Sequence, residues 1–364
     1  MPVRVAVLGA GHGAHAHAGH LALAGHEVRL CHLPSRAASL AAASVTGSVS
    51  VATDVDASLV PSGRAPLARV TTDFGEALRG AEAVLLVVAA EGQAAFFDAI
   101  GPHLARGQVL LLCPGKFGAL PARGLLDRWD GARGAIVAES ESLLYIARLE
   151  GPASVRIKGI KTRLGVAAVP ASRTTEALGV LQRLHPQFVA ATDVLETSLA
   201  DPGNVMHPVH TLMNTGRIED CGPYRYDHYG VTASIGRTID ALDRERVAVA
   251  AALGLSIPTV PQRLAAAYGA DASGAAAAIR STPGYRGFIA PGDLGHRFVT
   301  ENVPFGLVPI AALGVQVGVA TPAIDAIVEL ASVATGRDFR ASGRGVDALG
   351  LRAMSAARIV ERVR

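Results

Sequence analysis

The sequence predicts an α/β N-terminal domain built on a parallel sheet, followed by an all-α C-terminal domain. Three observations carry this reading. Apolar runs of strand length alternate with helix-period stretches as far as about residue 188, the pattern of strands covered on both faces by crossover helices. A glycine-rich turn joins the first run to the first helical stretch. From Asp193 onward the periodicity is almost wholly helical. A chain of 364 residues exceeds one ordinary core, so the change of pattern marks a boundary, with residues 1–189 in the first domain and 190–364 in the second.

Taken in order, residues 4–8 (RVAVL) form the first strand and residues 14–24 carry small apolar side chains at helical spacing. Residues 27–33 (EVRLCHL) read as the second strand. Residues 83–89 (AVLLVVA) and 108–113 (QVLLLC) are continuously apolar, as buried parallel strands are, and residues 93–104 fit the helix between them. Further short strands are expected at 134–138, 154–160 and 164–169. In the second domain, residues 238–253 set Ile239, Leu242, Val247 and Leu253 among charges, with Gly254 as the stop. No charge falls between Glu301 and Asp325, yet Pro304, Pro309 and Pro322 with Gly306, Gly314 and Gly318 interrupt the stretch. It reads as a buried helix pair and not as a membrane span, having no basic flank or aromatic belt.

Composition narrows the function classes. Half the residues are hydrophobic and 18% are charged, which suits an ordered globular protein. The formal charge of +3 is spread along the chain, so nucleic acid is not expected as a partner. Cys31, Cys113 and Cys221 have neither zinc-ligand nor disulfide-framework spacing and read as reduced thiols in a cytoplasmic setting. The opening residues hold no signal-type apolar segment.

Gly9-Ala-Gly11-His12-Gly13-Ala14 satisfies G-x-G-x-x-[GA] between a strand and a helix, the Rossmann dinucleotide fingerprint. Its small residues permit the tight turn, the approach of backbone to pyrophosphate and the packing of helix on strand, while helix N-terminal N–H groups face the phosphates. The second strand does not end in the acid that reads a ribose 2′-hydroxyl. Ser35 and Arg36 stand there instead, suited to a 2′-phosphate, so NADP(H) is favoured over NAD(H). His12, His15, His17 and His20 crowd the same helix. They lack a Cys or carboxylate partner nearby and would compete with phosphates, so no metal is assigned; they read as exposed or cofactor-adjacent histidines.

A polar patch interrupts the apolar second domain at Asn204-Val-Met-His207-Pro208 and again at Asn214. A neutral histidine there can exchange a proton with a carbonyl oxygen or amine nitrogen as hydride moves; His207 is the candidate and His210 its competitor. Arg297, in a loop-rich polar run, either clamps a substrate carboxylate or forms a surface ion pair.

Together the segments GAGHGA, PGKFG (114–118), AESESLLYIAR (138–148), LETSLADPGNVMHP (195–208), LMNTGRIE, GVTASIGRTIDALDRERVAVAAALG (230–254) and ENVPFGLVP (301–309) resemble the opine (octopine/nopaline) dehydrogenase family over nearly the whole chain. The resemblance implies an NAD(P)H-dependent oxidoreductase that reductively condenses an amino-acid amine with an α-keto acid, or reduces a related imine, with a homodimer allowed. It implies that His207 is catalytic, with position 302 as its partner, and that Arg297 and Glu139 belong to the substrate site; His210 and Asn214 of the polar patch are placed in that site too, and Pro114 and Gly115 in the cofactor site. Two positions depart from the family pattern: Asn302 stands where an aspartate usually partners the histidine, and Tyr229-Gly230 where Glu-Gly is common. Asparagine can orient an imidazole through its carbonyl but supplies no charge. A second function class therefore stays open, a nucleotide-binding protein of the same fold without redox turnover.

Overall fold

The strands of the N-terminal part are β1 (Arg4–Leu8), β2 (Glu27–Cys31), β3 (Ser48–Thr53), β4 (Gly63–Pro66), β5 (Arg69–Thr71), β6 (Ala83–Leu86), β7 (Val109–Leu112), β8 (Ile136–Ser140), β9 (Tyr145–Gly151), β10 (Ser154–Ile160), β11 (Leu164–Val169) and β12 (Phe188–Ala190). The computed structural model spans residues 1–364, and all but Pro223, His228 and Tyr229 are described. The chain divides into two compact units, Met1–Thr197 with Arg364, and Ser198–Val363.

In the first unit the main sheet runs β12-β11-β8-β7-β6-β1-β2-β5. From β5 to β8 the pairs are parallel. Every residue of β6 and β7 is buried, which is why those runs are apolar without alternation. Strand β1 lies between β2 and β6, so its C-terminal end, where Leu8 pairs with Cys31 and Leu86, opens at the reversal of strand order. This is the crevice where doubly wound sheets bind ligands.

Two expectations are corrected. The sheet is not wholly parallel, since β11 pairs antiparallel with β8. And β10, expected as a further strand of the first domain, belongs not to the main sheet but to a separate sheet of order β4-β3-β10-β9. That sheet packs on the helix His12–Leu23, which also packs on the main sheet through β1 and β2. A helix covered on both sides must be thin. Ala14, Ala16, Ala18 and Gly19 supply that, and a Cβ on Gly19 would come 2.4 Å from Val51 Cγ2.

Of the four histidines read from sequence as exposed or cofactor-adjacent, His12 is exposed but the other three are not. His15, His17 and His20 are buried. His17 Nδ1 lies 3.0 Å from His185 Nε2 and His20 Nδ1 2.7 Å from the Tyr145 hydroxyl. Burial pushes His17 down to about 3 and His20 down to about 4, so the cluster is neutral at physiological pH. Among the described residues no group of three His, Cys, Asp or Glu is arranged to hold a metal ion.

The second unit is helical, apart from an isolated antiparallel bridge between Arg225 and Ile289. Its longest helix, Ala233–Ala252, is capped by the Thr232 side chain on Ile235 N, and Gly254 follows its end with φ +74°, as a C-terminal stop requires. Inside it the buried Asp243 and Arg246 pair at 2.6 Å, and Arg246 also donates to the Leu199 and Pro258 carbonyls, so the buried charge is satisfied. The uncharged stretch beyond Glu301 is a π turn, Val303–Leu307, then helices Val308–Val317 and Pro322–Thr335. The helical run Arg297–Val317 has the length and apolarity of a membrane span, but 78% of its apolar window is buried inside the protein.

Candidate active site

The glycine loop has the form its sequence requires. Gly9 adopts φ +126°, and a Cβ on it would lie 2.4 Å from the Val87 carbonyl oxygen; only glycine makes this turn. Gly13 sets the helix against β6's extension, where an added Cβ would meet Val87 Cγ1 at 3.0 Å. Gly11 differs from both, because a Cβ there would meet nothing within 4 Å. Its small size leaves open space at a helix N-terminus, in front of backbone N–H groups, and a dinucleotide pyrophosphate fits that cradle. Ala14 is buried behind the loop, and His12 accepts the Leu149 N–H on Nδ1 at 2.9 Å.

After β2 the chain turns through Pro34–Leu40, leaving Ser35 and Arg36 exposed. Burial, then the Arg36 charge, lowers the pKa of His32. Arg36 thus presents positive charge at the end of β2.

The PGKFG segment follows β7 with Lys116 and Phe117 both left-handed, at φ +54° and +58°. Such backbone persists only where surroundings hold it. Gln93 Nε2 donates to the Pro114 carbonyl at 3.0 Å, Gly115 N to the Ser140 carbonyl at 2.9 Å, and the buried Glu139 accepts Ala119 N at 2.9 Å and the Thr197 hydroxyl at 2.8 Å. A Cβ on Gly115 would lie 2.5 Å from Glu139. Both Glu139 oxygens and the polar groups of Pro114 and Gly115 are engaged in holding this loop.

In the second unit His207 lies on the helix Gly203–Leu212, half-buried. Phe298, on the short helix Arg297–Thr300, stacks flat on its ring, and the Tyr226 hydroxyl lies 3.4 Å from Nδ1. Burial raises the Tyr226 phenol well above its ordinary range, so it stays protonated and can donate to Nδ1 or accept from it. Nothing in the sequence pattern marks Tyr226 or Phe298 for the site, since both reach the histidine through tertiary packing.

Arg297 is held by the buried Glu301, with Nε donating at 2.8 Å. Its side chain stays 41% exposed, and Nη1 has no partner among the described residues, so one donor of the fork points elsewhere. Asn302 is buried, and its Nδ2 donates to the Arg297 carbonyl at 3.1 Å. That bond turns the amide nitrogen toward the backbone. Asn302 leads into the π turn, which packs on the helix of His207. Gly306 permits the approach, because a Cβ there would come 2.5 Å from Asn204 Oδ1.

His210 and Asn214 are placed differently. His210 is fully buried, stacked on Tyr226 at 3.8 Å, and burial pushes it down to about 4. A Cβ on Gly230 would come 2.0 Å from its Nε2. Asn214 donates to the His210 and Gly230 carbonyls at 2.7 and 3.0 Å, which fastens the 230 segment against the helix. Tyr229 lies outside the described residues.

The family described as NAD/NADP octopine/nopaline dehydrogenase, alpha-helical domain, matches residues 190–335. The chain is 36% identical over 363 residues to the opine dehydrogenase of Arthrobacter sp. (strain 1C), covering 97% of each. Among solved structures it is similar to octopine dehydrogenase with NADH and L-arginine, with TM-score 0.80 and 24% identity over 98% of each chain. Yersinopine dehydrogenase bound to NADP+ gives TM-score 0.71 and 16% identity, over 100% of this chain and 98% of that one.

Proposed function

This chain belongs to the octopine/nopaline (opine) dehydrogenase family, and on that premise we propose that it reductively condenses an amino-acid amine with an α-keto acid, using NADPH in preference to NADH. The observation that carries the reading is the placement of His207, in the middle of its helix with Nδ1 partnered and a ring stacked on Phe298, in a chain whose glycine loop keeps an open phosphate cradle at Gly11.

The loop Gly9–Ala14 holds the pyrophosphate, and Ser35 with Arg36 meets the 2′-phosphate that distinguishes NADPH. When bound, the cofactor supplies the hydride. His207 moves the proton, giving one to the oxygen or nitrogen of the substrate during reduction. Arg297 orients a substrate carboxylate by the part of its guanidinium that Glu301 leaves exposed, and Asn302 helps set the orientation of the ring.

Steady-state oxidation of NADPH with paired amino and keto acids tests the proposal. His207→Ala should lower kcat with cofactor affinity preserved, and Arg297→Lys should mainly raise KM for the keto acid. Tight NADPH binding with no turnover on any pair would favour a nucleotide-binding protein without redox chemistry instead.

A further inference from the structure

Position 302 supplies no charge, yet a histidine that carries a proton through a reaction is stabilised in its cationic form by a nearby carboxylate. The structure offers one from another direction. The missing Cβ of Gly203 marks a point 3.1 Å from Asp201 Oδ1 and 3.3 Å from His207 Nε2, so the carboxylate and the ring flank the same spot beside the bare glycine. Gly203 N donates to Asp201 Oδ1 at 2.9 Å, which fixes the carboxylate there, and Asp201 is only 6% exposed, where charge acts over a short, poorly screened path. Its field is felt in the surrounding aromatic cluster. Burial, then Tyr268 and Asp201, raise the pKa of Tyr285, whose ring lies 5.4 Å from that of Tyr226.

On the elements packed about this helix, Glu245 accepts the Ala323 and Ile324 N–H groups and Asp240 the Ala275 N–H, Arg237, Arg244 and Glu329 are exposed to solvent, and the remaining charged groups are paired. Glu301 is matched by Arg297, Asp227 by Arg225, Asp243 by Arg246 and Asp325 by Arg340. His210 is kept neutral by burial, Tyr226 stays a phenol, and His296 lies beyond Phe298, edge-on to it at 4.7 Å.

We propose that Asp201 is the carboxylate partner of His207, supplying from the start of its helix the negative charge that the family pattern places at position 302. Asp201 is a positioning and charge-stabilising residue, not a proton carrier. The assignment rests on His207 being the proton-transfer residue.

The test substitutes Asp201→Asn, which keeps an oxygen to accept the Gly203 N–H and removes only the charge. His207 is titrated by NMR on histidine-labelled protein, its signal identified by its loss in His207→Ala, and the pH profile of kcat is measured in parallel. The midpoint of His207 should fall by about one pH unit, a tenfold change in proton affinity, with the kcat profile moving likewise. Asn302→Asp added to Asp201→Asn should move both back upward. A folded Asp201→Asn protein with an unmoved His207 midpoint overturns the proposal. If that variant does not fold, the parent protein decides: His207 titrating above the ordinary 6.5 supports the partnership, and below it overturns it. Full turnover by His207→Ala would instead remove the proton-transfer reading and leave the NMR result standing.

Discussion

Phe298 lies flat against His207, the ring centroids 3.8 Å apart and the planes 7° from parallel. The stack limits how the imidazole can rotate, so its nitrogens keep their directions without a charged ligand on each. Phe298→Leu keeps the bulk and loses the flat face. With aromatic stacking worth about 0.5–1.5 kcal/mol, kcat should fall roughly two- to tenfold while the NADPH Kd holds. An unchanged kcat would make the stack mere packing.

The two glycines of the nucleotide loop should fail differently. Gly9→Ala forces a Cβ against the Val87 carbonyl at φ +126° and should lower the Tm. In Gly11→Ala the new methyl meets no protein atom within 4 Å, so the Tm should hold while NADPH affinity drops tenfold or more. Differential scanning calorimetry with cofactor titration separates them, and a Gly11→Ala protein that binds normally would count against the cradle.

Cofactor choice turns on Arg36. A charged hydrogen bond to a phosphate is worth about 1.5–3 kcal/mol, so Arg36→Ala should weaken NADPH roughly tenfold to a hundredfold and leave NADH nearly unchanged. Equal effects on the two cofactors, or tighter NADH binding by the parent, would reverse the assignment.

The buried histidines make the first unit acid-sensitive. Burial holds His17 at about 3 and His20 at about 4, and it lowers His185 well below its ordinary value, with the neighbouring histidines adding to the effect. A group whose folded pKa is depressed contributes no penalty above its unfolded pKa. As pH falls below about 6.5 the unfolded chain binds protons the folded one refuses, and each group then removes up to about 1.4 kcal/mol per pH unit, down to its folded pKa. Thermal stability should therefore decline steadily from pH 6.5 to 4. His185→Phe, which removes one such site from an aromatic environment, should flatten that decline. An equally steep slope in the variant would place the acid sensitivity elsewhere.

What the sequence showed and hid has a physical pattern. Strands β6 and β7 were legible because both faces are buried, and the glycine loop because each glycine meets a separate steric demand. The strands β3, β4 and β9 were not. Their faces mix apolar residues with charges such as Arg148, Glu150 and Arg64, and β4 carries glycine and proline. A signal did exist, since YIARLEG and SVRIKGI alternate on either side of Pro152-Ala153, where Ala153 has φ +54°. Without the second sheet the burial of His17 and His20 cannot be inferred. His207 stood out as a polar residue in an apolar region, Arg297 as a cation in a loop-rich polar run and Asn302 as a departure from the family pattern, whereas Tyr226, Phe298 and Asp201 matter only through where packing puts them.

The π turn at Val303–Leu307 has a mechanical meaning as well. A π turn holds one residue more than an α turn, and one residue of an α-helix corresponds to about 100° of rotation about its axis. Shortening this turn by one residue would restore a regular helix and swing everything before it by about that angle. Arg297, Phe298 and Asn302 would then face a different quarter of the compass from His207. The extra residue is an angular setting, a fixed dial position that an insertion or deletion can turn and that side-chain substitution alone leaves in place.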